Sequence, residues 1–160
     1  MNKIISAMTL AILFTSSAVA APSNHVGINY SFDNVVGTQL EFDIAKAASN
    51  KPVSIQLFWK SYQQRLNSNN TWNTTGIGIA GIYDLTSVVK VNKSVHPYVG
   101  LGLMSVSYTW AGFGTRQNYT GVDSGLYITG GVRYNFTPQV DADFNLNNFG
   151  GLTFGANFKF

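Results

Sequence analysis

The last nine residues of the chain alternate apolar with small or polar side chains up to a terminal aromatic, in the order Leu152-Thr153-Phe154-Gly155-Ala156-Asn157-Phe158-Lys159-Phe160. A period of two predicts a β-strand with one apolar face. At the edge of a soluble sheet, this strand would be a long hydrophobic edge open to aggregation. In a closed membrane barrel the same strand pairs with the first one and leaves no edge. We therefore expect a closed barrel.

Seven earlier segments repeat this alternation, so the chain is predicted to form about eight strands. The segments span residues 25–33, 37–44, 53–60, 75–85, 97–108, 126–136 and 140–146. Most approach the roughly 9 to 11 residues that a tilted membrane strand requires. From Met104 to Tyr108 the phase is ambiguous, which leaves open either a β-bulge or a switch of the outward face. We expect an all-β fold, an eight-stranded antiparallel up-and-down transmembrane β-barrel.

The composition favours membrane strands over a soluble domain. Hydrophobic residues make up 45% of the chain and charged residues only 11%, whereas about a quarter of the residues in soluble domains are charged. After residue 20, however, no segment holds 18 consecutive apolar residues, so no transmembrane helix is expected. The apolar side chains must therefore be kept from water by strands that alternate apolar and polar residues.

The first 20 residues predict a cleaved secretory signal peptide. Asn2 and Lys3 form a short charged region, Ile4–Phe14 an apolar run too short to span a membrane, and Ala18-Val19-Ala20 a cleavage site. Cleavage leaves residues 21–160 as one barrel domain and takes the net charge from +3 to +2, which does not indicate a nucleic-acid partner. The chain has no cysteine, so neither a lipoprotein anchor nor a disulfide framework is expected.

Alternation alone does not decide which face points outward, because a soluble barrel would turn its apolar face inward. Here the polar face is interleaved with glycines, which suit a narrow lumen. The apolar face carries large aromatics near the strand ends, as interfacial girdles do. These aromatics are Tyr30, Phe32, Trp59, Tyr83, Tyr98, Tyr134, Phe136, Phe158 and Phe160. We expect the apolar face to contact lipid.

Residues 21–160 resemble the small outer-membrane β-barrel superfamily that contains the OmpA transmembrane domain, OmpX, the neisserial surface protein NspA and opacity-type antigens. The resemblance rests on the cleavage site, Pro97–Gly102, Gly131–Pro138 and the final strand. It implies export to the outer membrane of a Gram-negative bacterium and contact with outer-membrane lipid and lipopolysaccharide. It also implies a monomer, inserted by the barrel-assembly machinery, with Phe158 and Phe160 in the assembly signal.

Charged side chains on the polar face are expected to meet in the lumen. They are Glu41, Asp43, Lys60, Arg133, Asp141, Asp143 and Lys159. Pairing across the turn at 137–139 sets Arg133 opposite Asp143, and Glu41 or Asp43 is expected to pair with Lys60 or Arg133. Because buried charges must be paired, these groups predict a salt-bridge plug. The alternative is a gate whose ion-pair exchange opens a narrow pore for ions or small solutes.

Two polar segments, Gln63–Asn73 and Thr109–Asp123, predict exposed extracellular loops. They contribute Arg65, Trp72, Trp110, Phe113, Arg116 and Tyr119. Aromatic residues with arginine are typical of a contact surface for a host or surface ligand, and the same residues could bind anionic lipopolysaccharide. The alternative is that the aromatics belong to the girdle beside a solvated loop.

No pattern in the chain predicts catalysis, a metal site or a cofactor. Small barrels of this size include lipid-modifying enzymes, but such a reaction needs a nucleophile with a general base. The two histidines, His25 and His96, fall at the periplasmic ends of strands, on the wrong side for outer-leaflet lipid. We therefore expect a structural or adhesin-like surface-interaction role, with a narrow pore as the alternative and a lipid-modifying enzyme as the third hypothesis.

Overall fold

The computed structural model describes residues 24–45, 47–49, 51–67, 70–86, 88–89, 91–111 and 119–160, so the predicted signal peptide lies outside the described residues. The strands are β1 (His25–Ser31), β2 (Val35–Asp43), β3 (Val53–Asn67), β4 (Asn70–Asp84), β5 (Val95–Ala111), β6 (Tyr119–Asn135), β7 (Val140–Asn147) and β8 (Gly151–Lys159). Each strand pairs antiparallel with the next, and β8 pairs with β1. The predicted closed eight-stranded barrel is confirmed. Within these ranges no helix is long and apolar enough to cross a membrane.

The two ends of the barrel differ in what they carry. One end, called the base below, carries Asn24 and Phe160 together with the connections at 44–52, 85–94 and 136–139. The opposite end, the mouth, carries the connections at 32–34 and 148–150 and the ends of β3–β6 at Asn67, Asn70, Ala111 and Tyr119. With an even number of strands, both ends of the barrel domain therefore lie on one side.

The apolar face of the barrel points outward, as predicted. Leu103 exposes 65% of its surface, whereas Asp143, on the opposite face of the sheet, exposes 1%. The outward apolar surface is called the hydrophobic belt. It includes Ile28, Phe42, Leu57, Ile77, Ile79, Leu101, Leu103, Leu126, Ile128, Val132, Phe144, Leu146 and Leu152. Water would be a poor solvent for a continuous surface of this size, because soluble monomers rarely expose large apolar patches.

The ambiguous stretch from Met104 to Tyr108 contains neither a bulge nor a switch of face. Its register with β4 and β6 is continuous, and Val106 is buried in the lumen. Alternation weakens there because the outward residue changes from Leu103 to Ser105. The ambiguity in the sequence therefore marks the edge of the hydrophobic belt.

The same edge explains why the described parts of the two expected loops are strands, while residues 68–69 and 112–118 lie outside the described residues. Strands β3 to β6 are 15 to 17 residues long, against 7 to 9 for the other four. They continue past the belt as paired strands, with Gln63 opposite Asn73 and Thr109 opposite Thr120. Beyond the belt the outward face meets water, so its side chains no longer need to be apolar. β3–β6 therefore form a tall half of the barrel, and β7, β8, β1 and β2 form a short half.

The lumen is filled in layers, as expected for eight strands, whose interior is just wide enough for side chains. Near the base it is polar. In the middle lies an apolar layer formed by Phe58, Ala80, Ile82, Tyr98 and Tyr127. On the mouth side Phe149, from the connection between β7 and β8, packs against this layer. Its ring reaches β4, where Gly76 leaves room for it: a Cβ on Gly76 would lie 2.9 Å from Cε2 of Phe149.

Candidate functional site: the barrel lumen

A two-point ion pair crosses the lumen near the base. The Arg133 guanidinium donates to both carboxylate oxygens of Glu41, with 3.0 Å from Nη1 to Oε1. Arg133 and Glu41 are both buried. The hydroxyl of Ser54 donates a third hydrogen bond to Glu41, and the Arg133 Cζ lies 4.5 Å from the centroid of the Tyr98 ring. The planar fork of arginine suits such two-point contact with a carboxylate.

Asp143 lies opposite Arg133 in the β6–β7 register, as the pairing across the turn predicts. Its carboxylate nevertheless accepts hydrogen bonds from the Tyr98 hydroxyl at 2.8 Å and from Gln39 Nε2 at 3.2 Å. The long arginine side chain extends across the lumen to Glu41, while the shorter Asp143 side chain accepts hydrogen bonds from nearby residues. The polar layer therefore joins these two carboxylates through Arg133 and Tyr98.

Tyr98 was expected among the outward aromatics, and this expectation is wrong. It is 4% exposed and lies in the lumen. The phase of β5 alternates Tyr98 with Val99 and Leu101, which are the outward residues of that strand. Its hydroxyl donates to the Asp143 carboxylate, and this bond supplies the partner that a buried tyrosine hydroxyl needs.

A second charged cluster lies where the first and last strands meet. Asp141 Oδ2 is 3.4 Å from His25 Nδ1 and 3.4 Å from Lys159 Nζ. Asn157 Nδ2 donates to the other oxygen, Oδ1, at 2.7 Å, and the Lys159 ammonium also donates to Asn135. Because His25 and Lys159 are register partners on β1 and β8, the cluster ties the strands that close the barrel.

Contrary to the expectation, Lys60 does not form an ion pair with a carboxylate. It is buried, and Nζ donates to the Tyr127 hydroxyl at 3.0 Å. Nζ also lies 5.1 Å from the centroid of the Tyr127 ring and 5.8 Å from that of Phe58. The part of the chain that the structure describes shows no ion pair to this lysine. Lys60 is instead held by two aromatic rings, as cation–π contacts allow.

Asp43 is also not part of the lumen network, which corrects the prediction for this residue. It is the last residue of β2 and is exposed at the base. Its carboxylate accepts a hydrogen bond of 2.6 Å from the backbone N–H of Ala45. An aspartate that bonds the backbone two residues later stabilises a turn, so Asp43 caps the connection to β3.

The predicted loop contacts are only partly described. Phe113 and Arg116 lie outside the described residues, and Arg65, Trp110 and Tyr119 lie in strands whose side chains at these positions are not described. Trp72 also lies in a strand, β4, and its side chain faces inward: Nε1 donates to Thr74 Oγ1 at 3.0 Å, and the ring lies 6.1 Å from that of Tyr108. Trp72 is therefore not an outward loop contact.

The two residues of the predicted assembly signal lie at the base. Phe158 points outward on β8, opposite Val26 of β1 and Val140 of β7. Phe160 follows the strand, and its backbone N–H donates to the Asn24 carbonyl at 3.1 Å. Both residues are thus at the seam between the first and last strands.

Sequence reasoning did not assign His25, Gln39 or Asn157 to the network. All three share the polar face of their strands, so strand parity would have found them, but only charged residues were considered. Phe149 had no such signal, because it lies in a connection and reaches the lumen through the turn. Within the described ranges, no group of three or more His, Cys, Asp or Glu side chains could hold a metal ion.

Comparisons with known proteins support the fold. The chain is similar to the N-terminal β-barrel domain of Pseudomonas aeruginosa OprF (TM-score 0.59, 18% identity, covering 86% of this chain and 95% of that one). It is also similar to Neisserial surface protein A (TM-score 0.60, 20% identity, covering 86% of this chain and 93% of that one). A third similar structure is Ail, the attachment invasion locus protein of Yersinia pestis (TM-score 0.53, 12% identity, covering 86% of this chain and 93% of that one). All three are small eight-stranded outer-membrane β-barrels, which confirms the resemblance in fold. No protein-family model and no curated protein matches the sequence.

Proposed function

We propose that this protein is a closed, non-conducting barrel of the outer membrane of a Gram-negative bacterium, with a surface-interaction role at its mouth. One observation carries the proposal: a lipid-facing belt surrounds a lumen that side chains close at two levels. A barrel that is apolar outside and filled inside is suited to hold a structure at a membrane surface. It is not suited to pass solutes through.

Support for the location comes from the belt and from the fold. Lipid would cover the outward apolar residues, and closure of the sheet leaves no unpaired strand edge in the bilayer. The small barrels with the same fold are outer-membrane proteins. Residues 1–20 would act as the signal peptide, the base would face the periplasm, and the mouth would face the cell exterior.

Closure of the lumen is supported by two independent contacts. The Arg133–Glu41 ion pair spans the polar layer, and the apolar layer above it contains Phe58, Ile82 and Tyr127. Phe149 covers that layer from the mouth side. Buried ion pairs contribute little net stability by themselves, so the lumen is best understood as a packed core in which Arg133 and Glu41 compensate each other's charge.

The surface-interaction role is supported by the tall half of the barrel. Strands β3–β6 extend beyond the hydrophobic belt and would stand above the outer leaflet. One protein of the same fold, Ail, is named for attachment and invasion. By analogy, the projecting strands of this chain would contact lipopolysaccharide or a host ligand, through Arg65, Trp110, Phe113, Arg116 and Tyr119.

A narrow pore is the second candidate, and the ion pair is the observation that favours it. Loss of the Arg133–Glu41 contact would remove the link across the polar layer without unpairing any strand. The apolar layer and Phe149 would still block the path, however, so the pore hypothesis also requires these to move. We assign no catalytic role. His96 Nδ1 lies 3.3 Å from Thr86 Oγ1 and 3.4 Å from Asp84 Oδ2, whereas a catalytic triad uses opposite ring nitrogens.

Two experiments test the proposal. Membrane fractionation with N-terminal sequencing should find a protein that begins at Ala21 in the outer membrane and shows heat-modifiable gel mobility. Location in another compartment, or mobility that does not change on heating, would contradict the proposed location.

Planar-bilayer recording should detect no channel events for the wild type, for Arg133→Ala or for Phe149→Ala. Stable events with Arg133→Ala alone would instead favour the pore hypothesis. The exposed Lys93→Ala variant, in the connection between β4 and β5, is the matched control.

A further inference from the structure

Above the hydrophobic belt, strands β3–β5 of the tall half reverse their two faces, whereas β6 keeps Val122 outward and 71% exposed. The outward residues there are polar, as at Ser61, Thr75 and Ser105. The inward residues become aromatic or aliphatic, as at Tyr62 and Val106. This is the pattern of a soluble strand that shields an apolar interior. These three strands therefore carry apolar side chains on the inner side of the barrel.

A cavity of about 540 Å³ lies on the inner side of the tall half. We call it the aromatic cup, and its main walls are Tyr62, Trp72, Met104, Val106, Tyr108 and Phe149. The size falls within the roughly 300 to 1,000 Å³ of small-molecule pockets, which are lined mainly by apolar and aromatic side chains. Among the residues whose side chains the structure describes, none that lines the cup is charged.

Two polar side chains in the wall are occupied by the barrel itself. Thr74 Oγ1 accepts the indole N–H of Trp72. The Asn148 amide donates to the Leu126 carbonyl at 2.7 Å and accepts from the Ile128 N–H at 3.0 Å. These bonds occupy both groups, and the rest of the described wall is apolar surface and aromatic rings, two of which, Tyr62 and Tyr108, carry a hydroxyl group.

The floor of the cup is closed. Met104 and Phe149 form it, and both pack against the buried apolar layer in the middle of the lumen. A ligand that enters from the mouth would stop there. The cup is therefore a binding cavity with one end, not the entrance of a pore.

A second cavity, of about 590 Å³, leads sideways from the cup toward the short half of the barrel. The two cavities share Tyr62 and Phe149. The second one is lined by Phe32, Asp33 and Gln63, among others, and is more polar. Phe32 is 72% exposed and its ring lies 5.7 Å from that of Phe154 on the outward surface. The side cavity thus connects the cup with the aromatic residues at the edge of the belt.

We propose that the aromatic cup binds the hydrocarbon chain of a single-chain amphiphile whose head group is not anionic. The chain would lie against the rings of the cup and the head group would lie in the side cavity. Asp33 is the charged residue among the described residues that line that cavity, and it would repel a carboxylate or phosphate head group. Entry at the level of Phe32 rests on the proposed membrane location.

Tryptophan quenching tests this proposal, because the chain holds three tryptophans in different positions. A Trp59→Phe/Trp110→Phe variant keeps only Trp72, in the cup, and a Trp72→Phe/Trp110→Phe variant keeps only Trp59, on the hydrophobic belt. Both are placed in phosphatidylcholine nanodiscs and titrated with dodecyltrimethylammonium brominated in mid-chain. We expect saturable quenching of Trp72, while quenching of Trp59 rises only in proportion to the probe. Brominated dodecanoate should bind the cup about fivefold more weakly.

Matched lysine variants complete the test. Met104→Lys places a charge in the cup and should abolish saturable quenching of Trp72. Ser105→Lys, at the next position but on the outward face, should leave it unchanged. Heat-modifiable mobility shows that each variant is folded. Non-saturable quenching of Trp72, or saturation that survives Met104→Lys, would overturn the proposal.

Brominated phosphatidylcholine separates this proposal from the membrane location. It should quench Trp59 whether or not the cup binds a ligand. If Trp59 is quenched and Trp72 does not saturate, only the cup proposal fails. If Trp59 is not quenched by the lipid, the membrane location fails, and the proposed entry route fails with it.

Discussion

Arg133 on β6 and Glu41 on β2 form their ion pair across the diameter of the barrel. Four steps around the ring of strands separate β2 from β6 in either direction. The contact therefore joins opposite walls, which no neighbouring-strand pairing can do. It sits beside Asp143, which is bound by Tyr98 and Gln39. Removal of one partner would leave a buried charge without compensation.

Arg133→Ala should lower the free energy of unfolding by about 3 to 5 kcal/mol, because it leaves the buried Glu41 carboxylate unpaired. Urea unfolding in lipid vesicles, followed by tryptophan fluorescence, measures the change. The double variant Arg133→Met/Glu41→Leu should recover most of this loss, since an apolar pair of similar volume replaces the ion pair. Equal losses for the single and double variants would contradict the assigned pairing.

Lys60→Met should raise the free energy of unfolding by about 1 kcal/mol. The lysine is buried among Phe58 and Tyr127, and methionine fills similar space without a charge to desolvate. The same unfolding assay measures this. Lys93→Met, on the exposed base, is the control and should change stability by less than about 0.5 kcal/mol. A clear loss of stability in Lys60→Met would show that the ammonium contacts matter more than their desolvation.

Gly76→Ala should destabilise the barrel by about 1 to 3 kcal/mol, because the added Cβ would meet the Phe149 ring. Gly81→Ala, on the same strand, is the matched control: its Cβ would lie 3.9 Å from the nearest atom, the Leu101 carbonyl oxygen. In the background of Phe149→Ala, the cost of Gly76→Ala should largely vanish. An equal loss of stability with and without the Phe149 ring would mean that the ring does not occupy the space beside Gly76.

Deletion of Phe160 should reduce the fraction of protein assembled in the outer membrane, because this residue lies at the seam and bonds the chain at Asn24. Quantitative fractionation of cells expressing each variant measures it. Phe32→Ala removes an exposed aromatic at the opposite end of the barrel and should assemble normally. Normal assembly of the Phe160 deletion would remove this residue from the assembly signal.

The strands, their order and their outward faces could be predicted from the sequence because alternation has a period of two and lipid tolerates only one kind of face. The lengths of β3–β6 could not. Above the belt, water covers the outer surface, so Gln63 and Asn73 lose the apolar contrast by which strands are recognised. The same loss made Met104–Tyr108 ambiguous, although the strand there is regular.

The register across the short turn at 137–139 could also be predicted from the sequence, and it sets Arg133 opposite Asp143. Glu41 was one of several predicted partners of Arg133, and the structure pairs the two. The sequence could not choose among those partners, because which opposite wall a long side chain reaches depends on the number and tilt of the strands. The position of the Phe149 ring in the lumen could not be predicted either, since Phe149 lies in a connection and not in an alternating strand.

The final strand illustrates this division. Its alternation by itself determined that Phe154 and Phe158 share one face and Gly155 and Asn157 the other, because successive side chains of a strand point to opposite sides. Only the tertiary structure decided that Asn157 bonds Asp141 and that Lys159 and His25 approach the same carboxylate oxygen. Those contacts exist because closure of the barrel brings β8 beside β1, and no local pattern in either strand encodes that distance.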